Sequence, residues 1–264
     1  MRWELPQDRA FLIGVVHLLP LPGAPRWKGS IEEGIRRAVE DARAYESGGA
    51  DAVIVENFGD VPFTKESVPP ETVAAMAVAG WAVRNAIKLP LGFNVLRNDA
   101  RAALALCAAS GGSFIRINVH SGAMITDQGL IEGKAHDTLR ARRTLCPDAL
   151  ILADVQVKHA VPLGSLPIEL SARDTLHRGL ADALIISGTG TGEAVDISDL
   201  QAVRKACPDA TLLLGSGVTF DNISRARGLA NGTIVGTSLK IDGKVENAVD
   251  VRRVAKLAQA LTSW

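Results

Sequence analysis

The feature that most constrains this chain is an alternation: short runs rich in Val, Ile and Leu recur eight times, each separated from the next by a longer amphipathic stretch. The runs are Phe11–His17 (FLIGVVH), Ala52–Asn57 (AVIVEN), Leu91–Leu96 (LGFNVL), Phe114–His120 (FIRINVH), Leu150–Lys158 (LILADVQVK), Ala183–Ser187 (ALIIS), Thr211–Gly215 (TLLLG) and Thr233–Gly236 (TIVG). Nearly continuous apolar runs of this kind belong to strands buried on both faces, as in a parallel sheet covered by helices. The stretches between them carry helix punctuation. Ser30 with Glu33 makes a capping box, Gly48 and Gly49 close that helix, and Asp196 with Asp199 opens a later one.

Several helices join the next run in the same words: GGADAVIV (Gly48–Val55), GLADALII (Gly179–Ile186) and GLANGTIV (Gly228–Val235), with CPDALIL (Cys146–Leu152) paralleled by CPDATLL (Cys207–Leu213). One βα unit is being repeated. Each right-handed crossover lays a strand beside its predecessor until the sheet meets itself, so eight units in 264 residues predict an α/β fold, a single-domain (β/α)8 TIM barrel spanning 1–264. An open doubly wound sheet fits less well, because no GxGxxG follows the first run and no linker divides the chain.

Composition narrows the partners. The chain carries 29 basic and 29 acidic side chains, one Tyr, six Phe and four Trp, which supplies neither the positive field nor the aromatic platform that nucleic acids require. The longest apolar run, Val73–Val83 (VAAMAVAGWAV), falls short of the roughly 20 residues that span a bilayer, so it reads as a buried helix face and no transmembrane segment is expected. The N-terminal MRWELPQDRAFLIGVV lacks the basic-then-apolar order of a secretory signal, and a cytoplasmic location is expected. Cys107, Cys146 and Cys207 are widely spaced, without a CxxC, and read as packing residues.

Side chains alternate along a strand, so Asp154, Gln156 and Lys158 are expected on one face of the fifth run, and Arg116, Asn118 and His120 on one face of the fourth. Glu56 ends the second run, Asn94 lies near the end of the third with Arg97 just beyond it, and His17 ends the first. Barrel enzymes place their chemistry at the carboxyl ends of strands, and charges are costly to bury without partners or purpose. Asp154, Glu56, Lys158 and His17 are therefore the catalytic candidates: the carboxylates as acid and base, the lysine as an oxyanion partner or a Schiff-base amine. Asn94, Arg97, Arg116, Asn118 and Gln156 are the substrate-binding candidates. Glu56, Asp60, Asp99, Asp127 and Asp154 could together hold Mg²⁺, but they show no fixed ligand spacing, so no metal or other cofactor is assigned. His136, His159 and His177 receive no role.

After the seventh run the chain reads GSGVTFDN (Gly215–Asn222), and after the eighth GTSLKIDG (Gly236–Gly243). Glycine lets backbone amides approach an anion, and loops after strands seven and eight form the recurrent phosphate site of the fold. Gly215, Ser216, Gly217, Gly236 and Thr237 are expected to line a phosphate cup, with a short helix at the second loop adding its dipole. Gly188 and Gly190, in the glycine-rich Ser187–Gly192, would supply a third wall. Amides already bonded within the protein would defeat this reading.

The runs GVVHLLPLPGAP (Gly14–Pro25), GGADAVIVENFGDVPF (Gly48–Phe63), LGFNVLRNDA (Leu91–Ala100), FIRINVHSGAMITDQGLIEG (Phe114–Gly133), ILADVQVKHA (Ile151–Ala160), GSGVT (Gly215–Thr219) and IVGTSLKIDG (Ile234–Gly243) resemble the BtpA/SgcQ family over nearly the whole chain. ENFGDVPF, NVLRNDA and ADVQVKHA carry most of the specificity. The resemblance implies a ribulose-phosphate-binding type of TIM barrel, related in architecture to phosphoribosylanthranilate isomerase and the tryptophan synthase α subunit. Family members are labelled variously as photosystem I biogenesis factors, nucleosidases or phosphoribosylanthranilate isomerases. That isomerase family has a cysteine on its first strand where this chain has His17, which sets an anthranilate substrate in question.

Two functions are expected to compete. One is an enzyme on a small phosphorylated sugar or nucleoside-like metabolite, with isomerase, aldolase/lyase and nucleosidase chemistry all open and His17 facing Asp154 across the mouth. The other is a non-catalytic assembly factor that keeps the phosphate-binding barrel and presents an exposed apolar patch to a protein partner. A homo-oligomer is expected from the fold class alone.

Overall fold

A computed structural model describes residues 3–188, 195–262 and 264. Eight strands close into one parallel barrel: β1 Phe11–His17, β2 Ala52–Glu56, β3 Leu91–Asn94, β4 Phe114–Ile117, β5 Leu150–Val155, β6 Ala183–Ile186, β7 Leu212–Leu214 and β8 Gly232–Val235, each paired with its neighbours in sequence and β8 with β1. The chain is a (β/α)8 TIM barrel. Helices α1 Ile31–Ser47, α2 Pro70–Ala86, α3 Ala100–Ser110, α4 Ala135–Leu145, α5 Ile168–Arg173 and α6 Ile197–Ala206 lie between successive strands, and α7 Val251–Leu261 follows the last. Between β7 and β8 the crossover contains only a 3-10 turn, Ile223–Ala226.

Local chemistry explains the helix ends. The Ser30 hydroxyl accepts from the Glu33 amide at the start of α1, and the Asp196 carboxylate does the same for Ser198 at the start of α6. Gly48 and Gly49 close α1, their amides donating to the carbonyls of Ala44 and Glu46 respectively.

Strand alternation sorts the core into two bodies. Inside the barrel lie Phe11, Ile13, Ile54, Phe114, Leu152, Ile185, Leu213 and Ile234. Between barrel and helices lie Leu12, Val16, Val53, Val55, Ile115, Ile117, Ile151 and Leu184. The amino end of the barrel is floored by Trp3, whose ring sits 4.8 Å from that of Phe114 and edge-on to Phe11. At the carboxyl end the inward positions turn polar, as His17, Glu56, Asn94, Arg116 and Asp154.

Seven of the strands end before their expected bounds, and two of them stop three residues early: β4 at Ile117 and β5 at Val155. Beyond them the chain builds a second sheet at the mouth. Ala123–Thr126 pairs antiparallel with Gly129–Glu132 and with Ala160–Pro162, placing Ile125 beside Val161. Val119, Met124, Ile131 and Val157 are buried beneath this small sheet, while Ile125, Leu130, Val161 and Leu163 are exposed. α2 buries Ala75, Met76, Ala79 and Val83 as its pattern predicts, yet leaves Val78 and Trp81 exposed. Cys107 and Cys207 are buried, Cys146 is half-buried, and all three are free thiols.

Candidate active site at the carboxyl mouth

Register sets the site. His17 on β1 is paired with Glu56 on β2, and Glu56 with Asn94 on β3, so three polar side chains cross the mouth in one row. The Asn94 amide donates to the Arg116 carbonyl at 3.1 Å and to Asn118 Oδ1 at 3.0 Å. Arg116 in turn grips Asp154 with two parallel bonds of 2.9 Å, from Nε and Nη2, and the Ser187 hydroxyl donates to Asp154 Oδ1 at 2.9 Å. Both partners are buried, so Asp154 anchors a guanidinium and is not a free base.

Glu56 is different. It is 6 % exposed, and among the described residues its carboxylate accepts no hydrogen bond; His17 Nε2 stands 3.9 Å away. Burial pushes the Glu56 pKa up, against the pull of Arg116, Lys158 and Arg97. Burial holds His17 well below its ordinary pKa, with Lys240, Lys158 and Arg116 acting in the same direction, so the imidazole is neutral at pH 7. Its ring rests against Phe58, centroids 4.7 Å apart. The nearest carboxylate to His17 is thus Glu56, where the sequence predicted Asp154.

Lys158 lies just past β5 and reaches the same space. Among the described residues its ammonium has no ion pair or hydrogen bond. Burial lowers its pKa and Arg116 adds to the effect, while Glu56 and Asp154 oppose it. Arg116 loses charge stability to burial but regains more from Asp154, so its pKa is raised.

Two cavities open on either side of Glu56, Phe58, Arg116 and Lys158. The first, about 340 Å³, is bounded by His17 and by the loops after β7 and β8. The second, about 560 Å³, is bounded by Phe63, Leu96, Asn94, Arg97 and Asn118. Together they match the size of a metabolite pocket.

The first cavity is an amide cup. Among the described residues, the backbone N–H groups of Gly217, Gly236, Thr237 and Ser238 donate to no acceptor in the protein. Gly217 holds φ +63°, a conformation that favours glycine, and its carbonyl is fixed by Asn222 Nδ2 at 2.7 Å. At Gly236 a Cβ would lie 2.4 Å from His17 Cε1, so only glycine lets the imidazole and this loop share the wall. The loop after β8 is tied down from outside: Lys240 Nζ bonds Asp41 at 3.0 Å, and the other Asp41 oxygen accepts from the Val249 amide. Arg253, on α7, also reaches the cup, donating to the Ser238 carbonyl at 3.1 Å.

Several expectations need correction. The Gly188 amide is taken by Ser216 Oγ at 2.7 Å, and the Gly215 amide by the Ile186 carbonyl at 2.8 Å, so neither is free for an anion. Gly215 and Ser216 still line the cavity. Gly190 lies outside the described residues. The expected short helix at the second loop is a single 3-10 turn, Thr237–Leu239. Gln156 does not share the face of Lys158: the strand has ended, Gln156 sits at φ +52°, and its side chain donates to the Leu166 carbonyl and the Ser171 hydroxyl. His120 likewise leaves the mouth, its Nε2 meeting the Gly179 carbonyl at 2.8 Å.

The other carboxylates are engaged elsewhere. Asp60 accepts from the Leu21 amide, and Asp99 caps α3 and accepts from Val68. Among the described residues no group of three or more His, Cys, Asp or Glu is arranged to hold a metal ion. Sequence reading missed Phe58, Arg253 and the presence of His159 at the second cavity. For Phe58 the signal was its place directly after a strand end; for Arg253 there was none, because only the fold brings α7 to the cup.

Among the described residues no helix is long and apolar enough to cross a membrane. The crystal structure of phosphoribosyl anthranilate isomerase from Thermus thermophilus is similar in fold, with a TM-score of 0.57 and 13 % identity, covering 96 % of this chain and 98 % of that one. Sequence similarity is much closer elsewhere. The photosystem I biogenesis protein BtpA of Synechocystis is 48 % identical over 250 residues, 95 % of this chain and 87 % of its own length. SgcQ, a protein of the sgc region in Escherichia coli, is 32 % identical over 98 % of this chain and 97 % of its own. The model of the BtpA family matches residues 8–263, and the chain belongs to that family.

Proposed function

We propose that this barrel is an enzyme that moves a proton on a small phosphorylated metabolite, with phosphate seated in the amide cup and the reacting carbons over Glu56. The observation that carries the reading is the meeting, in one cavity, of four unbonded amides with an unbonded, buried carboxylate. Water can meet half-exposed amides, but four of them lining one cavity beside a buried carboxylate suit an anionic ligand with a reacting carbon next to it.

The roles follow from the geometry. Gly217, Gly236, Thr237 and Ser238 bind the phosphate oxygens, and Arg253 adds positive charge at the rim. Glu56 takes a proton from carbon and returns it to a neighbouring atom, its raised pKa bringing it closer to neutrality. Arg116, oriented by Asp154, and Lys158 stabilise the oxyanion that develops on the adjacent carbonyl. Neutral His17 donates a hydrogen bond to that oxygen. Isomerase chemistry needs nothing further, whereas aldolase chemistry needs Lys158 as a free amine.

The test is a thermal-shift screen of sugar phosphates and nucleoside phosphates, followed by incubation of the hits in deuterated water. Incorporation of deuterium at carbon, abolished by Glu56→Gln, is expected. Binding without exchange for every hit would sink the proton-transfer role. Borohydride trapping on Lys158 during turnover would move the reading to a lyase.

A second reading, a non-catalytic assembly factor, is supported by the exposed Ile125, Leu130, Val161 and Leu163 at the mouth sheet and by the likeness to the photosystem I biogenesis protein of Synechocystis. It differs in one outcome: Glu56→Gln would restore a strain lacking the protein.

A further inference from the structure

The second cavity contains a charge that the proton-transfer scheme leaves unused. Arg97 is 4 % exposed and lines this cavity, yet among the described residues no carboxylate lies within ion-pair distance of it. Its Nη2 donates to the Lys158 carbonyl at 2.6 Å, and its buried Nε has no partner. Burial lowers its pKa, against the pull of Asp154, Asp127 and Glu56. The nearby acids are accounted for. Asp154 is bound by Arg116, Glu56 faces His17 and Lys158, and Asp127, at the tip of the mouth hairpin, lines the cavity but is exposed, stands beyond ion-pair distance of Arg97 and accepts from Gln128. A second unmet group stands in the same cavity: Asn94 Oδ1 is buried and accepts no hydrogen bond.

From these two groups we infer that the second cavity takes the carboxylate end of the substrate, so that the ligand is a phosphorylated sugar acid with its carboxylate at the end opposite the phosphate. One unpaired guanidinium matches one negative charge, and its planar fork suits a carboxylate. The orphan Asn94 oxygen matches a hydroxyl donor on the adjoining carbon. A second phosphate fits less well, because this cavity has no cup of backbone N–H groups: beside Arg97 it presents side-chain amides and the apolar Phe63 and Leu96, Arg116 is already bound to Asp154, and Lys158 is shared with the first cavity. The inference rests on the phosphate assignment of the first cavity and adds the other end of the molecule.

Calorimetric titration of the full chain with matched pairs tests it. The probes are 6-phosphogluconate against sorbitol 6-phosphate and 3-phosphoglycerate against glycerol 3-phosphate, which differ only in carboxylate for CH2OH. The acid is expected to bind at least about tenfold more tightly than its alcohol at one of the two lengths, a charge-assisted pair in a partly dry site. Arg97→Met should shrink that ratio to about twofold or less while the affinity for inorganic phosphate holds, and Arg97→Lys, which keeps the charge and loses the fork, should fall between. Thermal melting of both variants identifies any loss of folding, and Asp127→Asn, which removes a like charge from the same cavity, should hold the ratio or raise it.

Equal binding of acid and alcohol at both lengths, or a ratio that survives Arg97→Met, overturns the assignment. A ratio that collapses in Asp127→Asn also overturns it, since the hairpin carboxylate would then govern the site. If inorganic phosphate itself fails to bind, the cup reading fails separately; gluconate against sorbitol then tests Arg97 alone, with the same two outcomes.

Discussion

The two walls of the mouth solve the problem of holding a polar ligand by opposite means. The wall after β7 and β8 uses main-chain N–H groups, with glycines making room, and its one charged side chain, Arg253, stands at the rim. The wall from β2 to β5 uses ionised side chains projecting from strand ends, held by one another: Arg116 by Asp154, and Asn94 by Asn118 and the Arg116 carbonyl. A main-chain wall is indifferent to most chemistry but sensitive to bulk. A side-chain wall is sensitive to the loss of any single charge. The first suits recognition of an invariant handle, the second suits a reaction.

Four substitutions would break or sharpen that contrast. The largest effect is expected from Arg116→Met, which strands Asp154 as a buried, unpaired carboxylate and should cost about 3–5 kcal/mol in urea unfolding. Adding Asp154→Leu should recover much of that loss, and failure to recover would show that the pair is not self-contained. Glu56→Gln should lower turnover by about 10²–10⁴-fold while KM for the phosphorylated substrate changes little, because it removes the proton acceptor and leaves the cup intact. A matching rise in KM would blur the division between the walls.

On the other wall, Gly217→Ala at φ +63° should weaken phosphate binding by about tenfold, from a strain of about 1–2 kcal/mol and a displaced amide, with turnover at saturation nearly unchanged. Titration of inorganic phosphate checks it. The smallest effect concerns stability. A carboxyl whose pKa is raised on folding binds more protons folded than unfolded above its unfolded value, so its contribution is lost as pH rises through that window. Glu56→Gln should therefore melt about 2–4 °C above the parent at pH 7 and coincide with it near and below the ordinary glutamate value, about pH 4. Identical melting at both pH values would mean that Glu56 is better solvated than its burial implies.

The two walls also differ in how much of them the sequence revealed. All eight barrel strands stand in their expected order, and β1 has its expected bounds, because strands buried on both faces leave an unbroken apolar signature. Glu56, Asn94 and Arg116 follow from alternation inside those strands. Alternation carries no information once the ladder stops, and so Gln156 and His120, beyond Val155 and Ile117, were assigned to a face that does not exist. The mouth sheet was invisible for a related reason: its three strands are four residues or fewer, and one comes from a different loop. The amide cup was half legible. Glycine spacing marked the two loops, but which N–H groups remain unbonded depends on contacts such as Gly188 to Ser216, which no local pattern encodes.

The Trp3 floor has a consequence for traffic through the barrel. With the amino end covered by an indole packed against Phe114 and Phe11 and the barrel interior filled by its own side chains, a ligand in either cavity comes in and goes out by the strand tips, as far as the described residues go. Departure of one molecule and arrival of the next then cannot overlap, and the small sheet beside that entrance stands where it can set the pace of exchange.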